Sequence, residues 1–418
     1  MHRVLARTGV AALVTLAAVA PVIRPAHAQS TALRWIVPYT GQSLVVDPAT
    51  QHVFVLSVNG GITMLSARTG ARLQQATVAG AVTWGAGVVD GQIARALLLA
   101  PAIAQGTRVV LLNTQSGAVL NTLSMTGAAG FLAEDTSTRR VYISESDPSG
   151  TIAVVDARSG RLVDTLQVGA PAAQIAIDEQ SGRLFVVTPA PAGSSAKDTI
   201  HVVDLAARKV VGTVPVGHGT ADLAVDGATG HVFVTGAAGR TISVIDGRNL
   251  HVLTTAVATT APGRVLVDAA HARAYVLCRG SGQPAVNGAA QGATRTVGAT
   301  VDVLDTRTGN VLLRIPVGAP AADMALDRQT GNLFVAIAYT TPVNTYLATP
   351  YALVGSVRVI TTGSRPTLRT VLWPANTAPV ALAMDEVDGR VYSVSTGSTT
   401  TSAGMVAGFT AMLDETRL

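Results

Sequence analysis

Eight aspartates recur along the chain, Asp47, Asp90, Asp135, Asp178, Asp226, Asp268, Asp327 and Asp385, at spacings of 43, 45, 43, 48, 42, 59 and 58 residues. Carboxylates serve general acid–base catalysis and hard-cation binding. Such sites gather a few acids at one point, whereas these run through the whole sequence, so a different reason is needed. The surrounding residues supply it. In AIDEQSGRLFVV (176–187), AVDGATGHVFVT (224–235), ALDRQTGNLFVA (325–336) and AMDEVDGRVYSV (383–394) the Asp stands four residues before a Gly, and a short apolar run follows. An Asp that opens a D-x-x-T/S-G turn accepts hydrogen bonds from the next backbone amides, while the Gly takes the left-handed conformation that ends a type I turn with a bulge. These acids are therefore expected to be turn devices, with Gly182, Gly230, Gly331 and Gly389 after the first strand and Gly70, Gly117, Gly160 and Gly309 in a second turn. Where Gly is missing, as at Arg139 or Ala272, a differently built turn is expected.

Other reactive side chains form no assembled set. His52, His201, His218, His231, His251 and His271 fall at unrelated positions, so no pair has metal-ligand spacing. Ser194-x-x-Lys197 matches a serine-acylase motif in its letters, but that chemistry needs a helix and this is a Pro/Gly/Ala/Ser loop. The DEVDG at 385–389 lacks the ligand density of a calcium loop, and neither a nucleophile elbow nor a phosphate-binding loop occurs. The one cysteine, Cys278, rules out an internal disulfide and is expected to be a buried strand-end residue rather than a nucleophile.

The elements that carry the aspartates repeat with them. Each Asp ends an apolar run of four or five residues, and after its turn comes a second run. A third run, a second turn and a fourth follow, as in IAVVDARSGRLVDTLQV (152–168) and VDVLDTRTGNVLLRIPV (301–317). Four-stranded units of 42 to 59 residues in tandem are the signature of an all-β protein, a β-propeller of four-stranded blades. Eight blades are expected, or seven if the unit around Asp90 is irregular. The last unit ends after FTAMLDETRL without a fourth strand. The missing strand is sought at the N-terminus, because residues 32–47 align over 163–178 with Val37 in the place of Val168. The N-terminal strand would then complete the last blade and cover an exposed edge.

The repeat xxVxDxxTGxVxxxxxVGxxPxxxAxDxxTGxxYVxx, with TLQVGAPAAQIAIDEQSGRLFVV and RIPVGAPAADMALDRQTGNLFVA as its clearest copies, resembles the YVTN family of secreted β-propellers, related in form to the NHL and quinoprotein propellers. The resemblance covers essentially the whole chain after its first 28 residues. It departs from the family in lacking the closing Asn after VYIS, FVVT or FVTG, and in a blade count that the family more often sets at seven. The resemblance implies an exported binding or scaffold propeller.

Alternating strand direction sorts the loops. Both Asp turns of every blade fall on one face, and the connections between second and third strands fall on the other. That other face carries the insertions at 188–199, 278–298 and 338–355. Variable loops on a rigid scaffold are where binding resides. The innermost strands enter there too, and the residues four before each Asp are Ser43, Ala86, Phe131, Gln174, Asp222, Arg264, Asp323 and Ala381. The expected binding residues are Gln174, Asp222, Arg264 and Asp323, under loops carrying Tyr339, Tyr346 and Tyr351. The alternative for Arg264 is an ion pair with its acidic neighbours that holds the ring together.

Composition fits this reading and narrows the partners. The chain of 418 residues is 48% hydrophobic and 13% charged, with 41 Gly. Residues 1–28 read as a secretory signal peptide, with Arg3 and Arg7, an apolar stretch from about Val10 to Ile23, and Ala26-His27-Ala28 before Gln29. Residues 29–418 read as a single propeller domain. Setting aside Arg3, Arg7 and Arg24 leaves 27 of the 30 basic residues against 25 acidic ones, so the basic balance is slight. With 16 aromatics and no Lys/Arg cluster, neither a base-stacking platform nor a phosphate-tracking stripe is visible, and nucleic acid is not an expected partner. No later segment is apolar for long enough to span a membrane. The expectation is a secreted or periplasmic monomer without cofactor or metal. It would be a non-catalytic module that binds a protein or small-molecule ligand at the face with the long loops of blades five to seven. The alternatives are a quinoprotein-like oxidoreductase and a lactonase-type hydrolase that uses the channel mouth.

Overall fold

The runs that follow each Asp, such as HVFVLS (52–57) and GITMLS (61–66), are largely apolar and buried at four consecutive positions, whereas VLNTLSM (119–125) and HVLTTAV (251–257) mix polar with apolar residues and alternate strictly between half-buried and exposed. A strand covered on both faces is apolar throughout, and a strand half exposed alternates with period two. The computed structural model accounts for both patterns. It describes residues 33–37, 41–101, 106–191, 193–194, 196–280, 298–342, 351–362, 366–401 and 404–415. The expected signal segment at 1–28 and Tyr346 lie outside these residues.

The strands form eight antiparallel four-stranded sheets, and in seven of them the four strands are consecutive in the chain. The innermost strands are Ser43–Asp47, Gly87–Asp90, Ala129–Asp135, Ile175–Asp178, Thr220–Asp226, Pro262–Asp268, Ala321–Leu326 and Thr377–Asp385, which begin blades one to eight. The unit around Asp90 is a regular blade. In blade eight the third strand, Gly404–Asp414, pairs antiparallel with Leu33–Val37, with Ile36 opposite Ala411 and Val37 opposite Thr410. The chain is thus a β-propeller of eight blades.

Eight apolar clusters hold the ring, one at each interface between blades. The cluster between blades eight and one joins Val37, Tyr392, Val394 and Met412 to Leu44, Val53, Val55 and Leu65. Burying each such side chain contributes roughly 1.5–3 kcal/mol relative to exposure, so every seam is closed mainly by packing. One position organises these seams. Seven residues after each anchor Asp stands an aromatic, Phe54, Tyr142, Phe185, Phe233, Tyr275, Phe334 or Tyr392, and only blade two has Leu97 there. All eight are buried. The Tyr392 hydroxyl donates to the carbonyl of Ala67 in the next blade at 3.2 Å, and that of Tyr275 to Thr362 Oγ1 at 3.2 Å.

The turns without Gly are not built differently, contrary to the expectation for Arg139 and Ala272. Their φ values are 58° and 52°, the left-handed region that Gly182 and Gly331 occupy at 63° and 75°. The reason is a hydrogen bond between the two turns of one blade. The amide of Ala157 donates to the Arg139 carbonyl at 2.9 Å and that of Thr306 to the Ala272 carbonyl at 3.1 Å, as Gly247 does to Gly230. The surrounding structure therefore imposes a conformation that costs a residue with a Cβ about 1–2 kcal/mol.

Candidate functional site

The recurring aspartates are buried and engaged within their own turns. Asp47, Asp268 and Asp385 have no exposed surface. Asp135 Oδ1 accepts hydrogen bonds from the amides of Ser137 (3.0 Å) and Thr138 (3.1 Å) and from the Ser137 hydroxyl (2.6 Å). Asp327 does the same with Gln329 and Thr330, and Asp385 with Val387 and Asp388. The second turns repeat the device, Asp156 binding the amides of Arg158 and Ser159 and Asp305 those of Arg307 and Thr308. Because strands alternate within each sheet, both turn sets share one face.

On the opposite face, Gln174, Asp222, Arg264 and Asp323 form a relay in which each reaches the following blade. Gln174 Nε2 of blade four donates to the carbonyls of Thr220 (3.4 Å) and Ala221 (3.3 Å) in blade five. Asp222 accepts from the amide of Leu223 on one oxygen and from that of Val265, in blade six, on the other, both at 3.0 Å. Arg264 of blade six donates to Asp323 Oδ1 of blade seven at 2.5 Å, and Asp323 Oδ2 accepts the Leu382 amide of blade eight at 2.8 Å. Burial pushes the Asp222 carboxyl above its ordinary value, against the opposing pull of the Val265 amide and the guanidinium groups of Arg264 and Arg279. Arg264 is thus paired with one acidic neighbour, Asp323, and Asp222 is held by main chain. The inner strands of blades five to eight all carry a register shift here, at Thr220/Asp222, Pro262/Val265, Ala321/Asp323 and Pro379/Ala381. Such bulges re-aim side chains beside functional sites.

Arg279, absent from the expected set, belongs to this mouth. Its amide donates to Ala261 at 3.2 Å and its carbonyl accepts from Ala321 at 3.1 Å, which ties it between the inner-strand entrances of blades six and seven. Its side chain crosses over Gly263, where a Cβ would come within 2.7 Å of its Nε. The sequence signal for it was weak, an Arg directly after the Cys278 strand end.

The loops over the mouth differ from expectation in one respect. The insertion of blade seven is largely a hairpin arm: Leu333–Pro342 and Tyr351–Thr361 stay paired from Leu333 opposite Ile360 to Pro342 opposite Tyr351. Tyr339, opposite Val354, is half-buried against the apolar cluster of blades six and seven. Tyr351 sits at the far end of the arm's ladder. Blade eight carries a second arm that the sequence did not suggest, Arg390–Thr401 with Gly404–Asp414, paired out to Thr401 opposite Gly404. Gly355 and Gly397 let the two blades meet, because a Cβ at Gly355 would lie 2.5 Å from the Thr377 carbonyl and one at Gly397 2.8 Å from Leu353.

The Asp-turn face is less plain than expected. A groove of about 590 Å³ between blades seven and eight is lined by Asp327, Thr330, Asn332, Glu386, Asp388 and Glu415 among others. Its acids are bonded locally: Glu415 accepts from Thr330 and Asn332, Glu386 pairs with Arg328, and Asp388 with Arg390. Glu134, next to the anchor of blade three, is pushed up to about 7 by burial and by the Asp90 carboxylate, with Arg139 opposing. Cys278 ends its strand fully buried, and burial raises its thiol to about 11. Among the described residues, no three His, Cys, Asp or Glu side chains are grouped to hold a metal ion, and no helix is long and apolar enough to cross a membrane.

No family model matches the chain, and no curated protein matches it. Solved structures similar to it include Kuenenia stuttgartiensis hydrazine synthase, with a TM-score of 0.52 and 12% identity over 72% of this chain and 89% of that one. Another is the C-terminal WD40 domain of Sif2, with a TM-score of 0.61 and 10% identity over 94% of this chain and 98% of that one. At these identities the likeness concerns the fold, and it agrees with a propeller.

Proposed function

We propose that the chain is an exported, non-catalytic propeller of YVTN type that binds a ligand or partner at the face carrying the insertions and arms. The observation that supports this reading is the contrast between faces. The repeated carboxylates of one are engaged in their own turns, while the other gathers the bulged inner strands, the polar relay from Gln174 to Asp323 and the arm of blade seven. Rigid scaffolds with irregular loops at one end are the usual setting of recognition. The binding residues on this reading are Gln174, Asp222, Arg264, Asp323, Tyr339, Tyr346 and Tyr351.

The test is a melting-shift screen of small molecules on the whole protein. Hits are measured again on two variants, one with the blade-seven arm cut back to a tight turn and one with Thr229→Ala on the opposite face. Hits lost with the first and kept with the second support the reading; the reverse pattern overturns it. Export is tested by fractionating producing cells with and without residues 1–28. The protein is expected outside the cytoplasm only when they are present, and an identical distribution contradicts the proposal.

A further inference from the structure

Among the described residues, Asp222 and Asp323 share the mouth with the guanidinium groups of Arg264 and Arg279, and the two kinds differ in what they leave free. All four carboxylate oxygens of Asp222 and Asp323 already accept hydrogen bonds from protein donors: Leu223, Val265, Arg264 and Leu382. Arg264 has one nitrogen engaged, by Asp323, and its side chain is 40% exposed. A guanidinium offers five donors, so most of those of Arg264 make no bond to the described residues. Arg279 is exposed, and its guanidinium has no hydrogen-bond or ion-pair partner among the described residues, although its backbone is pinned at both its amide and its carbonyl.

Arg264 is the only cation among the eight residues that stand four before an anchor Asp. It leaves its strand within a register shift, and Asp323, fixed by Leu382, orients it. The Arg279 side chain crosses over Gly263, the residue before Arg264, which has no side chain to obstruct it. Both guanidiniums favour the charged form of the half-buried Asp222 carboxyl. Two forks with open donors beside satisfied acids suit an anion and disfavour a cation, since planar guanidinium groups match the oxygen pairs of carboxylate and phosphate.

We propose that Arg264 and Arg279 form an oxyanion site at the channel mouth, taking a carboxylate or phosphate group of a small molecule. This rests on the reading that the mouth is the recognition face. Losing one guanidinium contact of this kind is expected to weaken binding roughly 10- to 100-fold.

The experiment is calorimetric titration of the whole protein, at low salt, with inorganic phosphate and with succinate. Succinamide and 1,4-diaminobutane serve as neutral and cationic controls. Saturable binding of either anion, weakened in Arg279→Gln and partly restored in Arg279→Lys, supports the site, and the tighter anion identifies the phosphate or carboxylate source. Arg279→Gln carries the test because the exposed side chain makes no hydrogen bond or ion pair to the described residues that the substitution would remove. Arg264→Gln, which also removes the bond to Asp323, is read only with an unchanged melting curve. Absence of anion binding, or binding unchanged in both variants, overturns the site. If succinamide or diaminobutane binds instead and binding is lost with the blade-seven arm, the anion assignment fails while the recognition face survives. If anion binding is lost only in Arg328→Gln, on the Asp-turn side, both fail.

Discussion

Replacing Asp135 tests whether the repeated acids are architectural. Asp135 Oδ1 collects two amides and a hydroxyl, at 3.0, 3.1 and 2.6 Å. Hydrogen bonds to a charged acceptor contribute about 1.5–3 kcal/mol each when buried. Ser137 and Thr138 are exposed and regain water when the acceptor goes. Asp135→Ala is therefore expected to cost about 2–4 kcal/mol in all, while Asp135→Asn, which keeps an oxygen for the amides, costs about 1 kcal/mol. Burial pushes the Asp135 carboxyl up, but the bonds from Ser137 and Thr138 outweigh burial and hold it below its ordinary value. A carboxylate depressed in the fold stabilises above its unfolded value of about 3.9 and loses that contribution as pH falls through its folded value. The gap between wild type and Asp135→Ala should thus be full at pH 7 and narrow toward pH 3. Urea unfolding midpoints at a common slope measure it. Equal costs for Ala and Asn, or a gap indifferent to pH, would refute the turn account.

Removing Leu33–Val37 uncovers the edge of Gly404–Asp414 and strips Leu33, Ile36 and Val37 from two seams. A lower melting temperature and association on a sizing column are expected. Glu134 is raised from about 4.3 in the unfolded chain to about 7 in the fold, so its contribution is complete below the first value and lost as pH rises through the second. Wild type should lose stability between pH 5 and 8, and Glu134→Gln should lose less, as read by melting temperature at both pH values. Cys278, buried and with its thiol raised to about 11, is expected to resist a thiol reagent in the native protein and to react fully in denaturant.

Much of the fold was legible because every blade solves the same two problems. Each needs tight turns, which leave Asp and Gly at fixed offsets, and two strands covered on both sides, which leave unbroken apolar runs such as HVFVLS. The polar residues of the mouth were legible for the same reason, since counting four back from each Asp places Asp222, Arg264 and Asp323 in register. What stayed hidden depends on contacts between distant segments. The left-handed turns at Arg139 and Ala272 are imposed by amides of Ala157 and Thr306, which no local pattern announces. The arm of blade eight is rich in Gly, Ser and Thr, so STGSTTTSAG reads as loop although its two sides pair with each other. Arg279 is tied to the mouth by backbone bonds to Ala261 and Ala321 and crosses the bare Gly263 of another strand.

The most direct test is hydrogen exchange on the whole protein with and without the tightest ligand found by titration. Slowed exchange is predicted in the inner-strand entrances around 220–223, 261–265 and 321–323, with the eight Asp turns unchanged. Protection concentrated in those turns, with the entrances unaltered, would contradict the account.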